Sequence, residues 1–283
     1  MAKVLACIDG SIYSQSVCDL AGWATARLNQ TVELLHVLGR REVSTIPVDI
    51  SGTLVAYSQD ILAELAAMDE QRASLSQRRG RILLEEGKAR IAEAGAVTVE
   101  THLYNGDLVE TVGEFESDTS VIVIGKRGEA ADFAKLHLGS NLERVARATK
   151  KPVLVAARAF RPIQRFLIAF DGGPSVTKAV DMIAAGQLLR GLEGHLLMAG
   201  NPDDEAKNRL TAAEAKLRDA GWNITARILP GEPEAVIAAE VERTPIDLLV
   251  MGAYGHSRIR NLIIGSTTTA MVRSCLIPVL MMR

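Results

Sequence analysis

The sequence predicts an α/β protein built from two tandem units, each with a parallel sheet, and three observations predict it. Short apolar runs such as Lys3–Ile8, Val121–Gly125 and Arg165–Phe170 alternate with helix-forming stretches, the pattern of strands buried on both faces and joined by helical crossovers. The chain has 283 residues, more than a single domain usually holds. The pattern also runs twice. Asp9 recurs as Asp171 at an offset of 162, while Gly95, Gly139 and Pro152 recur as Gly221, Gly265 and Pro278 at an offset of 126. The difference, 162 minus 126, puts 36 extra residues in the first half, between its first strand and Gly95. Two complete strand–helix sets argue for two domains rather than a solenoid. Charge and proline near Ala157–Pro162 mark the break, giving expected units of residues 1–158 and 162–283.

The elements follow in order. Lys3–Ile8 is a first strand, stopped by Asp9-Gly10-Ser11, and a helix runs from about Tyr13 to Leu28. Thr31–Leu38 is the second strand. Residues 39–52, with Pro47, are irregular. Thr53–Gly95 is helix-forming, with Ile61, Leu62, Leu65 and Met68 on one face, and Gly80 and Gly87 predict a break or bend in it. Val97–Leu103 alternates as a third strand, Asp107–Phe115 is a short helix, and Val121–Gly125 is the fourth strand. A helix from about Ser140 leads to the fifth strand, Pro152–Ala156. In the second half the strands are Arg165–Phe170, Gly194–Ala199, Ile224–Leu229, Asp247–Met251 and Pro278–Met282. The helices are Val176–Leu189, Pro202–Ala220, Glu232–Glu242 and one from about Ser266.

Composition narrows the function classes. Hydrophobic residues make up 48% of the chain, enough for sizeable cores, and the net charge of -2 gives no electrostatic case for nucleic acid. The first ten residues lack the apolar stretch of a signal peptide, and no run approaches a membrane span, so no membrane partner is expected. Cys7, Cys18 and Cys275 are far apart and form no CxxC pair, which fits a reduced, cytoplasmic chain.

The stretch Leu248–Thr269 carries the chemistry. An apolar strand reaches Gly252, skips two residues to Gly255 and nine to Gly265, and meets Ser266, Thr267, Thr268 and Thr269 at a helix start. Unpaired first-turn amides, the positive end of a helix dipole, glycines that allow close approach and hydroxyl donors together suit a phosphate. Gly252, Gly255, Gly265 and Ser266 match G-x2-G-x9-G-[ST], and the stretch resembles the ATP-binding signature of the universal stress protein family. The resemblance covers nearly the whole chain as two copies. It implies adenine-nucleotide-hydrolase-like (Rossmann-like) domains, each a five-stranded parallel sheet of order 3-2-1-4-5 flanked by helices. A crevice then opens where the order reverses, beyond the carboxyl ends of the strands.

By the same resemblance the cofactor is ATP, and a divalent metal such as Mg would come with the phosphates and keep several waters. Asp171 lies near base and ribose, Ala199 falls where the family packs the adenine, and Gly255, Gly265, Ser266 and Thr268 face the phosphates; Met251, Gly252 and Thr267 complete the implied site. Asp171 also reads as a turn and N-cap residue. The first-half counterparts are Asp9, Gly125, Gly128, Gly139 and Ser140. There the loop departs from the signature. Glu129–Leu138 spans ten residues instead of nine, Asn141 and Leu142 replace two threonines, and Glu129 and Asp132 would repel phosphate, partly offset by Lys126 and Arg127. Nucleotide is therefore expected mainly in the second half. The resemblance also implies that Val153–Ala156 and Val279–Met282 pair the units as an intrachain pseudo-dimer, with a homodimer as a further option.

No catalytic residue stands out. His256, Arg258 and Arg260 in the loop are either cations screening a triphosphate or solvated charges, and no carboxylate is placed by sequence to orient His256. His36 and His102 read as core or edge histidines, because no second metal ligand follows at ligand spacing. Gly87-Lys88 is followed by Ala89 and makes no P-loop, and Asp171-Gly172-Gly173-Pro174-Ser175 only partly resembles the S-G-G-x-D-S of ATP pyrophosphatases. The leading reading is an ATP-binding stress-response module. A slow ATP-hydrolysing enzyme and a nucleotide-free dimerisation scaffold are the alternatives.

Overall fold

The computed structural model describes residues 2–39, 59–95, 98–128, 139–253 and 266–283. The strands are β1 (Lys3–Cys7), β2 (Thr31–Gly39), β3 (Val99–Gly106), β4 (Thr119–Gly125), β5 (Val153–Ala156), β6 (Arg165–Ala169), β7 (Glu193–Ala199), β8 (Ile224–Leu229), β9 (Leu248–Gly252) and β10 (Val279–Met282). The helices are α1 (Ser14–Leu28), α2 (Gln59–Glu93), α3 (Leu108–Phe115), α4 (Ser140–Ala148), α5 (Pro174–Ala185), α6 (Asp204–Asp219), α7 (Pro233–Arg243) and α8 (Ser266–Ser274).

All the strands join one ten-stranded sheet of order β3-β2-β1-β4-β5-β10-β9-β6-β7-β8. Neighbours are parallel within each half. The seam between halves is antiparallel, with Val155, Leu154 and Val153 opposite Val279, Leu280 and Met281. The two last strands thus cover each other's open edges. Other cross-half contacts flank this seam: the Arg27 guanidinium donates to the carbonyls of Leu188 and Arg190, and Arg283 donates to that of Arg147.

Alternation along the strands splits the core between the two sheet faces. Val4, Ala6, Leu34, Phe166 and Val250 face α1, α2, α5 and α6. Leu5, Leu35, Leu167 and Leu249 face α3, α4, α7 and α8. Every strand between β2 and β7 is therefore apolar on both faces, which is why these segments read as continuous apolar runs.

The expected break in the long helix does not occur. α2 runs 35 residues without interruption through Gly80 and Gly87. Both glycines instead let the helix approach the sheet. A Cβ on Gly80 would lie 2.8 Å from Leu103 Cδ1 and 3.0 Å from His36 Cδ2, and one on Gly87 would lie 2.9 Å from Leu34 Cδ2. Gly22 does the same between helices, where a Cβ would lie 2.6 Å from Ala94 Cβ. Gly113 in α3 is a contrast, because an added Cβ there meets nothing within 4 Å and the backbone is already helical. Gly113→Ala is expected to raise the free energy of unfolding by about 0.5–1 kcal/mol, measured by urea denaturation, since it removes only unfolded-chain entropy. A lower stability would mean that the glycine has a packing role.

Boundaries moved where local chemistry outweighs the apolar pattern. α5 opens at Pro174, whose fixed φ suits a first helical position behind the extended Gly173, and it ends at Ala185 rather than Leu189. α3 is capped by Asp107, which accepts from the amides of Val109 and Glu110 at 2.9 and 3.3 Å. Arg144 also donates to Asp107 and holds its carboxyl below the usual carboxylate range.

Candidate functional site

Each half places its first strand between its second and fourth, so the strand order reverses at the β1/β4 and β6/β9 boundaries while the strands stay parallel. In the first half a cleft lies beyond the ends of those strands, lined by Asp9, Ser11, Val37, Gly125, Gly128 and Asn141 among others. Asp9 ends the strand in a tight turn: its Oδ1 accepts the Ser11 amide at 3.0 Å, and Gly10 takes φ 79°. Ser14 Oγ accepts the Gly10 amide at 3.0 Å. Across the cleft, Ser11 Oγ donates to the Arg127 carbonyl and the Gly139 amide donates to the Lys126 carbonyl at 3.0 Å.

The glycines are needed for close approach. A Cβ on Gly125 would lie 2.8 Å from Tyr13 Cβ, and one on Gly128 would lie 2.8 Å from Asp9 Oδ2. One on Gly139 would meet the backbone of Arg127 and Lys126 at 3.0 and 3.1 Å. Gly139 is the extended residue before α4, and no side chain caps the first turn that Ser140 opens. The first amides of α4 therefore keep their hydrogen-bonding capacity for something else.

The second half repeats this frame. Asp171 Oδ1 accepts the Gly173 amide at 2.8 Å, and Gly172 takes φ 70°. A Cβ on Gly252 would lie 3.0 Å from Ser175 Cβ, the same relation that Gly125 has to Tyr13. Ala199 closes β7 at the place of Val37 in β2, and Met251 is buried at the place of Ile124; both Val37 and Ile124 line the first cleft. Gly255, His256, Arg258, Arg260 and Gly265 lie outside the described residues, as do Glu129 and Asp132 of the first loop. Ser266 opens α8 and Thr267 follows it, half-buried.

Thr268 does not stand among the phosphate donors that the resemblance implies. It is buried, and its hydroxyl donates to the Gly252 carbonyl at 3.0 Å. Its first-half counterpart is Leu142, also buried, so this helix position faces inward in both halves. The threonine ties the helix start to the end of β9.

Lys126 also departs from expectation. Rather than facing phosphate, its ammonium is buried and donates to the Cys275 carbonyl at the end of α8 in the other half. Burial pushes its pKa down to about 8. The cysteines offer no nucleophile: burial pushes the Cys7 and Cys18 thiols up to about 12, and raises that of Cys275. His36 is a core histidine, bonded through Nδ1 to the Ile8 carbonyl at 2.8 Å. His102 pairs with buried Glu33, which Lys3 also neutralises, and Glu100 joins them within 4.8 Å. Linear spacing hides this cluster, because β2 and β3 bring it together by register.

Comparison with known proteins agrees with this frame. The universal stress protein family model matches residues 1–157 and 189–283. Universal stress protein Slr1230 of Synechocystis is 36% identical over 287 aligned residues, covering 100% of both chains. Universal stress protein MJ0577 of Methanocaldococcus jannaschii is 28% identical over 80 residues, 28% of this chain and 49% of that one. A solved universal stress protein from Archaeoglobus fulgidus superimposes with a TM-score of 0.68 at 22% identity, over 99% of this chain and 98% of that one. With family models on both halves and a full-length relative at this identity, the chain belongs to the universal stress protein family and carries two of its units in tandem.

Proposed function

We propose that the protein is a cytoplasmic regulatory module that binds ATP, mainly in a second unit of residues 162–283, and signals through occupancy of that site. The observation that carries the reading is the repeat of one cradle. The first-half cleft is lined by the counterparts of Asp171, Ala199, Met251, Gly252, Gly255, Gly265 and Thr267, so the same frame is available to the second half. The second half adds the intact glycine spacing and hydroxyls at Ser266 and Thr267. Bound there, ATP would place its phosphates against the amides and hydroxyls opening α8, with Asp171 on the ribose side and Ala199 and Met251 walling the base. A Mg ion would ride on the phosphate oxygens. The first unit, residues 1–158, is the weaker site. Its loop is longer, carries two acidic residues, and spends its lysine on the other half.

The experiment is to denature the purified protein, identify released nucleotide by chromatography, and then incubate fresh protein with Mg-ATP and follow ADP. Close to one ATP per chain with negligible ADP is expected. Fast turnover would make the protein an enzyme, and failure to bind Mg-ATP at millimolar concentration would leave only a scaffold role.

A further inference from the structure

Register brings a second set of ligating groups together on β2 and β3. Glu33 lies opposite Glu100 and Leu35 opposite His102, so alternation puts Glu33, Glu100 and His102 on one face of the sheet. Glu33 is the third residue of β2, whereas the first cleft is lined by Val37, near the other end of that strand. The same register positions in the second half hold His195, Thr225 and Arg227, so the shared frame does not require this cluster.

The charges there are poorly balanced. Carboxylates directly opposite on neighbouring strands repel each other. Glu33 is also only 3% exposed, where a charge needs partners. It has two: Oε1 accepts from the Lys3 ammonium, and Oε2 pairs with His102 Nε2. The Glu33 hydrogen bond raises the Lys3 pKa, and the fields of Glu33, Glu100 and Asp118 add to it, so one ammonium serves three carboxylates. Lys151, bonded to the Ser117 carbonyl, offsets Asp118 at most. Glu33 and Glu100 still outnumber Lys3.

The donor atoms suit a cation. One from each of Glu33, Glu100 and His102 lies within 4.8 Å of the others. Ligands about 2.1 Å from a tetrahedral zinc ion are about 3.4 Å apart, so a small rotation of the exposed Glu100 side chain closes the set. Phe115 meets the His102 ring edge-on at 5.1 Å and holds its plane. Lys3 on Oε1 orients the Glu33 carboxylate and leaves Oε2 to a metal, the part that outer hydrogen bonds play in built metal sites.

We propose that Glu33, Glu100 and His102 form a zinc site that pins β3, the outermost strand of the first half, to β2. Zn2+ takes the place of the proton between His102 Nε2 and Glu33 Oε2, that proton shifts to Nδ1, and water fills the fourth position. One imidazole with two carboxylates favours zinc over magnesium or calcium, which prefer oxygen ligands throughout. The site stands apart from the clefts and does not depend on the ATP reading.

Isothermal titration of the metal-stripped full chain with Zn2+ alone, at about pH 7.5, tests this. One Zn2+ per chain with a Kd of roughly 1–10 µM is expected, and Mg2+ at about 5 mM should not compete. Glu100→Gln should weaken binding by roughly tenfold or more and His102→Phe by roughly a hundredfold. Glu100 is exposed, so its variant should keep the wild-type circular dichroism spectrum. Absence of binding up to about 100 µM Zn2+ overturns the proposal. So does an affinity that either substitution leaves unmoved, which would put the ion on other side chains. Equal competition by Mg2+ would mean that carboxylates hold the cation without the imidazole, and overturns it as well.

Discussion

Gly265→Leu is expected to weaken ATP binding by a hundredfold or more, while Gly128→Leu leaves most of it intact. The first half shows why a side chain at this position is damaging. Gly139, the counterpart of Gly265, has its would-be Cβ 3.0 Å from Arg127 Cα and 3.1 Å from the Lys126 carbonyl, and backbone cannot swing aside as a flexible side chain can. If ATP is held at the start of α8 as proposed, a leucine at 265 is expected to push the chain off that helix start and break the amide cradle. Charge-assisted hydrogen bonds contribute about 1.5–3 kcal/mol each, so two lost contacts to phosphate amount to about 3–6 kcal/mol, two to four powers of ten in Kd. Gly128→Leu places its side chain against Asp9 instead, where the added Cβ would be 2.8 Å from Oδ2, and should block only the first cleft. Isothermal titration with Mg-ATP reads both variants. If Gly128→Leu strips the nucleotide and Gly265→Leu spares it, the assignment of the main site to the second half is wrong and the halves exchange roles.

Much of the fold was legible because its physics is repetitive. Strands buried on both faces have to be apolar throughout, so β1, β4, β6 and β9 announced themselves, and the doubled Asp9/Asp171 turn showed that the unit occurs twice. What could not be read involves residues whose meaning depends on a distant partner. Glycine inside a helix costs stability in isolation, hence the expected bend at Gly80 and Gly87. Against His36, Leu103 and Leu34 the same glycines are what permits an unbroken helix. Thr268 looked like one more hydroxyl in a run of donors, yet the helix turns it inward. Leu142 at the matching position was the available signal. The cleft wall at Val37 was also recoverable, since 162 residues separate it from Ala199. The burial of Lys126 was not, because the surface that buries it belongs to the other half.

That burial has a measurable consequence, argued from its sign. The Lys126 ammonium donates to the Cys275 carbonyl just beyond α8, where the helix dipole is negative, and both features favour the charged form. Loss of water outweighs them and lowers the pKa from 10.5 to about 8. Between these two values the unfolded chain holds the proton and the folded chain does not, so stability rises with pH across this window, by about 3 kcal/mol in all. Cys7 and Cys18 act in the opposite direction. Their thiols move from 9.0 to about 12, so above pH 9 the unfolded chain ionises first and each subtracts about 1.4 kcal/mol per pH unit. The wild-type curve should therefore climb from pH 8 to about 9 and then bend down, and only a difference isolates the lysine. Lys126→Met removes the buried charge, keeps the bulk, and should be more stable than wild type at pH 7 by about 1–3 kcal/mol. By pH 10.5 that advantage should be gone. Urea unfolding of both proteins at pH 7, 8, 9 and 10 gives the difference directly. A constant offset across the range would mean that Lys126 keeps an ordinary pKa and is solvated, and the two halves would then meet at this point without a buried ammonium between the first glycine loop and the C-terminal end of α8.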